Sequence, residues 1–164
     1  MGYGVNWDEL VEDLGPRLYR YFCARFSRDH ADDLTQESLL RLFRKVQEGY
    51  FNPKKGSLPM LAFGIARLVA LEIKAEPRSL DMESASQVPD ISDNAAQSLE
   101  RNSELQKLRA LILKLSYIEQ EVLAIYLDQE LSMKEIALIL NLPEGTIKSH
   151  LSRAKQKLKT LYME

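Results

Sequence analysis

Residues 132–159 read SMKEIALILNLPEGTIKSHLSRAKQKLK, and the order of polar and apolar positions in this stretch decides the fold of the C-terminal half. Ser132 and Glu135 have capping-box spacing, in which each side chain can satisfy a free amide of a first helical turn. The helix they open buries Ile136, Ala137 and Leu140. Asn141 to Pro143 break the apolar period, and Pro143 fits the start of a second helix, where its missing N–H is not needed. In that second helix Ile147, Leu151, Ala154, Leu158 and Leu161 recur at steps of four and three, one apolar seam. The same geometry points Lys148, Ser149, Ser152, Arg153 and Gln156 away from the seam.

Between Glu144 and Thr160 there are five cations (Lys148, Arg153, Lys155, Lys157 and Lys159) against one acid, in a chain whose net charge is −2. On charge alone, a solvated amphipathic helix complementing its own dipole explains these lysines as well as a phosphate surface does. The capped preceding helix and the short turn add geometry to the charge. Two such helices form a helix-turn-helix, which lays its second helix in the major groove of DNA.

The string EIALILNLPEGTIKSHLSRAKQKL resembles region 4, the C-terminal promoter-binding domain of the extracytoplasmic-function (ECF) sigma factors of bacterial RNA polymerase. The resemblance rests on Glu135-Ile136-Ala137, the turn Leu142-Pro143, the opening Gly145-Thr146-Ile147-Lys148-Ser149 and the core Arg153-Ala154-Lys155. It implies upstream-element contacts from Thr146, Lys148, Ser149, His150, Ser152, Arg153 and Lys155. His150 stands where many members carry arginine, and Ser152 is smaller than usual. These departures touch the promoter sequence read rather than the mode of reading.

Upstream, LYRYFCARFSRDHADDLTQESLLRLFRKV resembles region 2 of the same family, in the right order along the chain. Read from its residues alone, Leu18, Tyr21, Phe22 and Arg25 fall on one side of a helix and pack a core. The next helix, entered near Asp32 and Asp33, puts acids at its positive end and Arg41, Arg44 and Lys45 toward its negative end. Without the resemblance its outward residues are a solvated face. With it, Asp33, Leu34, Gln36, Glu37, Leu40, Arg41 and Phe43 are the polymerase-binding residues, docking on the clamp helices of the largest subunit.

Residues 51–72, FNPKKGSLPMLAFGIARLVALE, continue the resemblance through Phe51, Pro53, Gly56, Ser57, Phe63, Ile65, Ala66 and Arg67. Leu61 sits where tryptophan is common, Gly64 where a basic residue is common and Leu68 where asparagine is common. The basic cluster that usually follows is reduced to Lys74 and Arg78. In the family this segment and its preceding loop capture flipped bases of the downstream promoter element, which takes stacking surfaces and cations. Asn52, Lys55, Arg67 and Lys74 are the residues left for that task, so melting limited to favourable promoters, or dependent on help, is implied.

The whole chain of 164 residues reads as all-α: two small helical domains joined by an acidic flexible linker. The expected division is residues 1–75 for the region 2-like domain, 76–100 for the linker and 101–164 for the region 4-like domain. The linker, EPRSLDMESASQVPDISDNAAQSLE, has few large apolar residues and carries six acids against one base. Such a strand either stays solvated and extended or, as the resemblance implies, threads a basic path of the polymerase. The residues leave both open.

The remaining helices follow from caps and periodicity. Asn6 and Glu9 open a helix from Trp7 toward Leu14, broken or bent at Gly15-Pro16, with Trp7 a core anchor. Ser116 and Glu119 open another through about Leu127. Before it, a helix from about Leu99 to Leu115 carries Leu105, Leu108, Ile112 and Leu115 on a common face.

No apolar run approaches the roughly 18 residues needed to cross a bilayer, and no signal segment stands at the N-terminus, so a cytoplasmic protein with no membrane insertion is expected. The single cysteine, Cys23, sits in an aromatic helix where burial keeps it inert. His30 and His150 are too far apart for a metal constellation, and phosphate loops, nucleophile elbows and paired Cys motifs are missing. No cofactor, metal or catalytic residue is expected, so the chain is not read as an enzyme. The expected partners are core RNA polymerase, promoter DNA and an anti-sigma factor. Two rival readings remain: a sigma-like regulator that does not open promoters, and an interaction module for an anti-sigma protein.

Overall fold

Seven α-helices make up the computed structural model, which describes residues 4–75 and 95–164, with side chains at 4–73 and 103–164. They are α1 (Trp7–Cys23), α2 (Arg28–Gln47), α3 (Leu58–Ala75), α4 (Ala95–Ile112), α5 (Tyr117–Tyr126), α6 (Met133–Leu140) and α7 (Glu144–Met163). No strand occurs among the described residues. Most of the linker expected at 76–100 lies outside them. Its last residues, from Ala95, are already the start of α4, four residues before the expected Leu99.

Helices α1, α2 and α3 pack on one another. Leu14, Leu18, Tyr21 and Phe22 of α1 meet Leu42 and Val46 of α2 and Phe63, Ala66 and Val69 of α3 in one buried core. Tyr21 meets both Phe22 and Phe63 edge-on, with ring centroids 5.1 and 5.8 Å apart, a favoured aromatic arrangement. Trp7 is half-buried and presents its edge to Phe43 at 4.9 Å, so it closes the rim of this core.

The expected break at Gly15-Pro16 does not occur, and α1 runs through it to Cys23. Pro16 and Glu12, the residue whose carbonyl the proline ring deprives of a partner, are both exposed, so water satisfies the freed group while the opposite face stays packed. The start of α2 also differs from expectation. It lies at Arg28, where Ser27 is the N-cap accepting from the His30 amide, and not near Asp32. The Ser-x-x-His spacing lacks the acidic reciprocal partner that makes a cap easy to see.

In the C-terminal half both expected capping boxes are formed, Ser116 with Glu119 and Ser132 with Glu135. α6 ends at Asn141 in the left-handed conformation, φ 55°, where its amide bonds back to Ala137, the usual way to end a helix and reverse the chain. Pro143 is the N-cap of α7, one position before the expected first turn. Of the residues read on a common face of this segment, Leu105 and Leu108 are each 46% exposed, while Ile112 and Leu115 are buried. Among the described side chains of α4, Ile112 in its last turn is the buried one.

The two sets of helices also touch each other, through α1 with α5 and α3 with α6. Polar groups carry much of this contact. Arg17 of α1 reaches Asp128 beyond the end of α5, Arg67 of α3 reaches Glu121 of α5, and Ser57 before α3 reaches Glu135 of α6.

Candidate nucleic-acid interface

The helix-turn-helix is built from its caps inward. At Ser132 the hydroxyl accepts from the Glu135 amide at 3.1 Å, and the Glu135 carboxylate accepts from the Ser132 amide at 3.0 Å. The Ser132 amide, foremost among several hydrogen bonds, holds the Glu135 carboxyl below its ordinary range. Ile136, Ala137 and Leu140 of α6 then pack against Ile147, Leu151 and Ala154 of α7, all buried. Leu158 continues the seam, partly buried.

With that seam inward, Lys148, Ser149, Ser152, Arg153, Lys155, Gln156, Lys157 and Lys159 of α7 are exposed, and Thr146 and His150 are half-buried. Not all of these cations are free. The Lys157 ammonium lies 2.8 Å from Glu119 Oε1, and the Lys155 ammonium lies 4.6 Å above the Tyr126 ring, a cation–π contact. Ser149 donates to the Gly145 carbonyl at 3.0 Å, which leaves its oxygen as an acceptor. Lys148 and Arg153 are the outward cations nearest the start of the helix.

Glu119 joins this helix to α5. Burial raises the cost of its charge, but Lys157 and the Ser116 cap outweigh burial and bring its carboxyl down to about 2. α7 is thus anchored by an ion pair as well as by its apolar seam.

A second exposed face lies on α2. Asp33 and Gln36 are exposed, Leu40 is 51% exposed and Phe43 43% exposed. Glu37 and Arg41 are bonded to each other at 2.9 Å. Arg41 also grips Glu72 of α3 through two bonds of 3.0 and 2.7 Å, and that guanidinium keeps the Glu72 carboxyl below its usual range. Leu34 differs from the sequence expectation of a binding residue: it is buried among the α1–α3 core side chains and shapes this face from beneath.

The segment expected at the downstream element is divided. Asn52 and Lys55 are exposed in the loop before α3, and Asn52 folds that loop by accepting from the Lys54 amide at 3.0 Å. Arg67 is instead committed to Glu121, Nε to Oε1 at 3.1 Å. Lys74 lies among residues whose side chains are not described. Among the described residues no group of three or more His, Cys, Asp or Glu could hold a metal ion, and no helix is long and apolar enough to cross a membrane.

Residues 105–158 match the family described as sigma-70, region 4. The chain is 29% identical over 157 residues to the ECF RNA polymerase sigma factor SigM of Bacillus subtilis (strain 168), covering 94% of each. It is 28% identical over 160 residues to the ECF RNA polymerase sigma factor SigE of Mycolicibacterium smegmatis, covering 94% of this chain and 60% of that one. With the ECF RNA polymerase sigma factor EcfG of Rhodopseudomonas palustris (strain TIE-1) identity is 31% over 134 residues, covering 81% of this chain and 71% of its relative. The chain belongs to the ECF sigma factors of RNA polymerase.

As a sigma factor it serves promoter-specific transcription initiation and is not an enzyme. Its fold matches a chain of each of two solved complexes, the first of a sigma factor with an anti-sigma factor. The TM-score is 0.71 to RpoE in complex with NepR from Bartonella quintana, at 22% identity, covering 96% of this chain and 97% of that one. It is 0.70 to CnrH in complex with the cytosolic domain of CnrY, at 18% identity, covering 95% and 86%.

The residues that sequence reasoning missed are those between the two helix sets: Arg17, Glu121 and Asp128. Arg17 and Asp128 are 111 positions apart, and no local pattern links them. The one available signal was an arginine, Arg17, beside the buried Leu14, Leu18 and Tyr21 positions of α1.

Proposed function

We propose that this sigma factor reads the upstream promoter element with α7, through Lys148, Ser149, His150, Ser152 and Arg153, flanked by Thr146 and Lys155. Residues 1–75 and 101–164 act as separate binding units, the first on polymerase and the second on DNA. The observation that carries this reading is the outward row of α7 donors held on a buried seam by a capped preceding helix. A good base contact contributes about 1–3 kcal/mol of discrimination, and the phosphate contacts make binding steeply salt dependent.

The α2 face of Asp33, Gln36, Glu37, Leu40, Arg41 and Phe43 docks on core RNA polymerase. Two exposed apolar side chains flanked by charge suit a protein interface better than a solvated helix. Asn52, Lys55, Arg67 and Lys74 serve the downstream element. An anti-sigma protein, the kind of partner named for RpoE of Bartonella quintana, is the expected inhibitor, and the protein works in the cytoplasm.

The test is transcription in vitro with purified core polymerase and the Arg153→Ala variant. Loss of promoter recognition with retained polymerase binding supports the assignment, and loss of both points to misfolding and counts against it. A second reading, a regulator that does not open promoters, draws on α3, where Leu68 is 55% exposed and Arg67 is held by Glu121. Run-off transcription separates the two, since such a regulator gives no transcript on any template.

A further inference from the structure

Glu119 lies in the first turn of α5 and Tyr126 is its last residue. Their spacing puts both on one face of that helix, two turns and about 10 Å apart along its axis. Both reach α7. The Glu119 Oε1 atom accepts from the Lys157 ammonium at 2.8 Å, and the Lys155 ammonium lies 4.6 Å over the Tyr126 ring. These two lysines flank the apolar seam of α7 on opposite sides. Lys155 follows the buried Ala154 and Lys157 precedes the partly buried Leu158, so at about 100° per residue one falls to each side of the stripe.

Attachments on opposite flanks supply what the seam lacks. Apolar attraction is non-directional, so Ile147, Leu151 and Ala154 alone resist a small roll of α7 about its axis only weakly. With both lysines attached, a roll in either direction pulls one of them away from its partner. The partners themselves are fixed. Glu119, with its side chain 3% exposed, also accepts from the Ser116 amide at 3.0 Å, and withdrawing Lys157 would leave a buried carboxylate without its counter-charge. The rotation matters because outward side chains stand at the outer radius of a helix, roughly 5–6 Å from its axis. A roll of about 20° carries such a tip by about 2 Å, several times the roughly 0.5 Å tolerance of a binding constellation.

We propose that Glu119 and Tyr126 are positioning residues that set the rotation of α7 in the major groove, and so help select the upstream sequence it reads without touching DNA themselves. This rests on the reading of α7 as the promoter-reading helix. Lys155 and Lys157 are the handles through which α5 acts, and Ser149, Ser152 and Arg153 are the donors whose aim depends on them.

The test uses the full chain with core polymerase on a promoter library randomised in the upstream element alone. Tyr126→Leu removes the ring from a position that is 38% exposed. Glu119→Gln removes the charge and keeps an oxygen for the Ser116 amide. Circular dichroism checks that each variant is helical at the assay temperature, and Tyr126→Leu, remote from the cap, decides alone if the cap fails. Both variants should shift the favoured bases or lower the preference for the wild-type element over its single-base variants by about tenfold, the scale of one good base contact. Polymerase affinity should not change. Tyr126→Phe keeps the ring and should keep the wild-type preference.

A purely structural role would not move sequence preference, because losing folded molecules scales every template alike. A uniform fall across the library, or an unchanged preference, in a folded Tyr126→Leu or Glu119→Gln protein therefore overturns the inference. So does a Tyr126→Phe protein that behaves like Tyr126→Leu. A wild type with no preference among upstream elements overturns the reading of α7 itself, so the two failures show separately.

Discussion

Arg17 and Asp128, 111 residues apart, meet through two parallel hydrogen bonds with both side chains buried, 6% and 4% exposed. Asp128 does a second task there, accepting from the Leu131 amide at 3.2 Å as the chain turns toward α6. Because the two groups share one pair of bonds, their replacements should not add. In urea unfolding, Arg17→Met and Asp128→Asn should each destabilise, and the double variant should lose at least about 1 kcal/mol less than their sum. Additive losses would mean the pair is not coupled in solution.

Glu119 sets the acid limit of the α5–α7 packing. Its folded carboxyl sits at about 2, below the ordinary value of 4.5, because Lys157 and the Ser116 cap outweigh burial. A depressed carboxyl stabilises the fold fully above its unfolded value and loses that contribution as pH falls toward its folded value. Thermal melts between pH 6 and pH 2 should therefore show the wild type losing stability over that lower range. Glu119→Gln should start less stable at neutral pH and fall less steeply. A parallel acid limb in the two proteins would contradict the ion pair.

Ser132→Ala removes one half of the α6 capping box. A lost N-cap costs about 1 kcal/mol, read as a lower midpoint in denaturant unfolding. Affinity for DNA should fall only to the extent that α6 frays, so a stability loss near zero would show that the box contributes little.

The free and engaged cations of α7 should separate in salt titrations. Removing a lysine that neutralises one phosphate lowers the slope of log affinity against log salt by about 0.9. Lys148→Ala should show that change. Lys157→Ala should show less, since its ammonium is held by Glu119. Equal slopes for both would argue that the Glu119 pair breaks on DNA.

Replacing Leu40 with serine should sharply lower recovery of polymerase in a pull-down and leave the fold nearly unchanged, because its side chain is 51% exposed. Surface changes of this kind usually stay within about 0.5 kcal/mol. Retained polymerase binding would move the interface off α2.

Much of the C-terminal half was legible because its signals are local. The Ser116 and Ser132 boxes, the Asn141 turn and the Ile147–Leu151–Ala154 seam each lie within a few residues. The α1 break was misread because Pro16 was judged by its own chemistry, while the packing of Leu14, Leu18 and Phe22 decides the helix. Leu105 and Leu108 have the period of a buried face and yet are exposed, since burial depends on a partner that periodicity does not name. Leu34, grouped by resemblance with the α2 surface residues, is buried because the core claims it. The ion pairs between the two halves were illegible because their partners lie far apart in sequence and meet only once both helix sets are formed.

The central claim, that α7 reads promoter DNA for a polymerase held by α2, is tested most directly by transcription in vitro with core enzyme across a promoter library. The account predicts sequence-specific transcripts from the wild type, none from Arg153→Ala, and undiminished polymerase binding by that variant. Transcripts from Arg153→Ala on the same promoters as the wild type would contradict it.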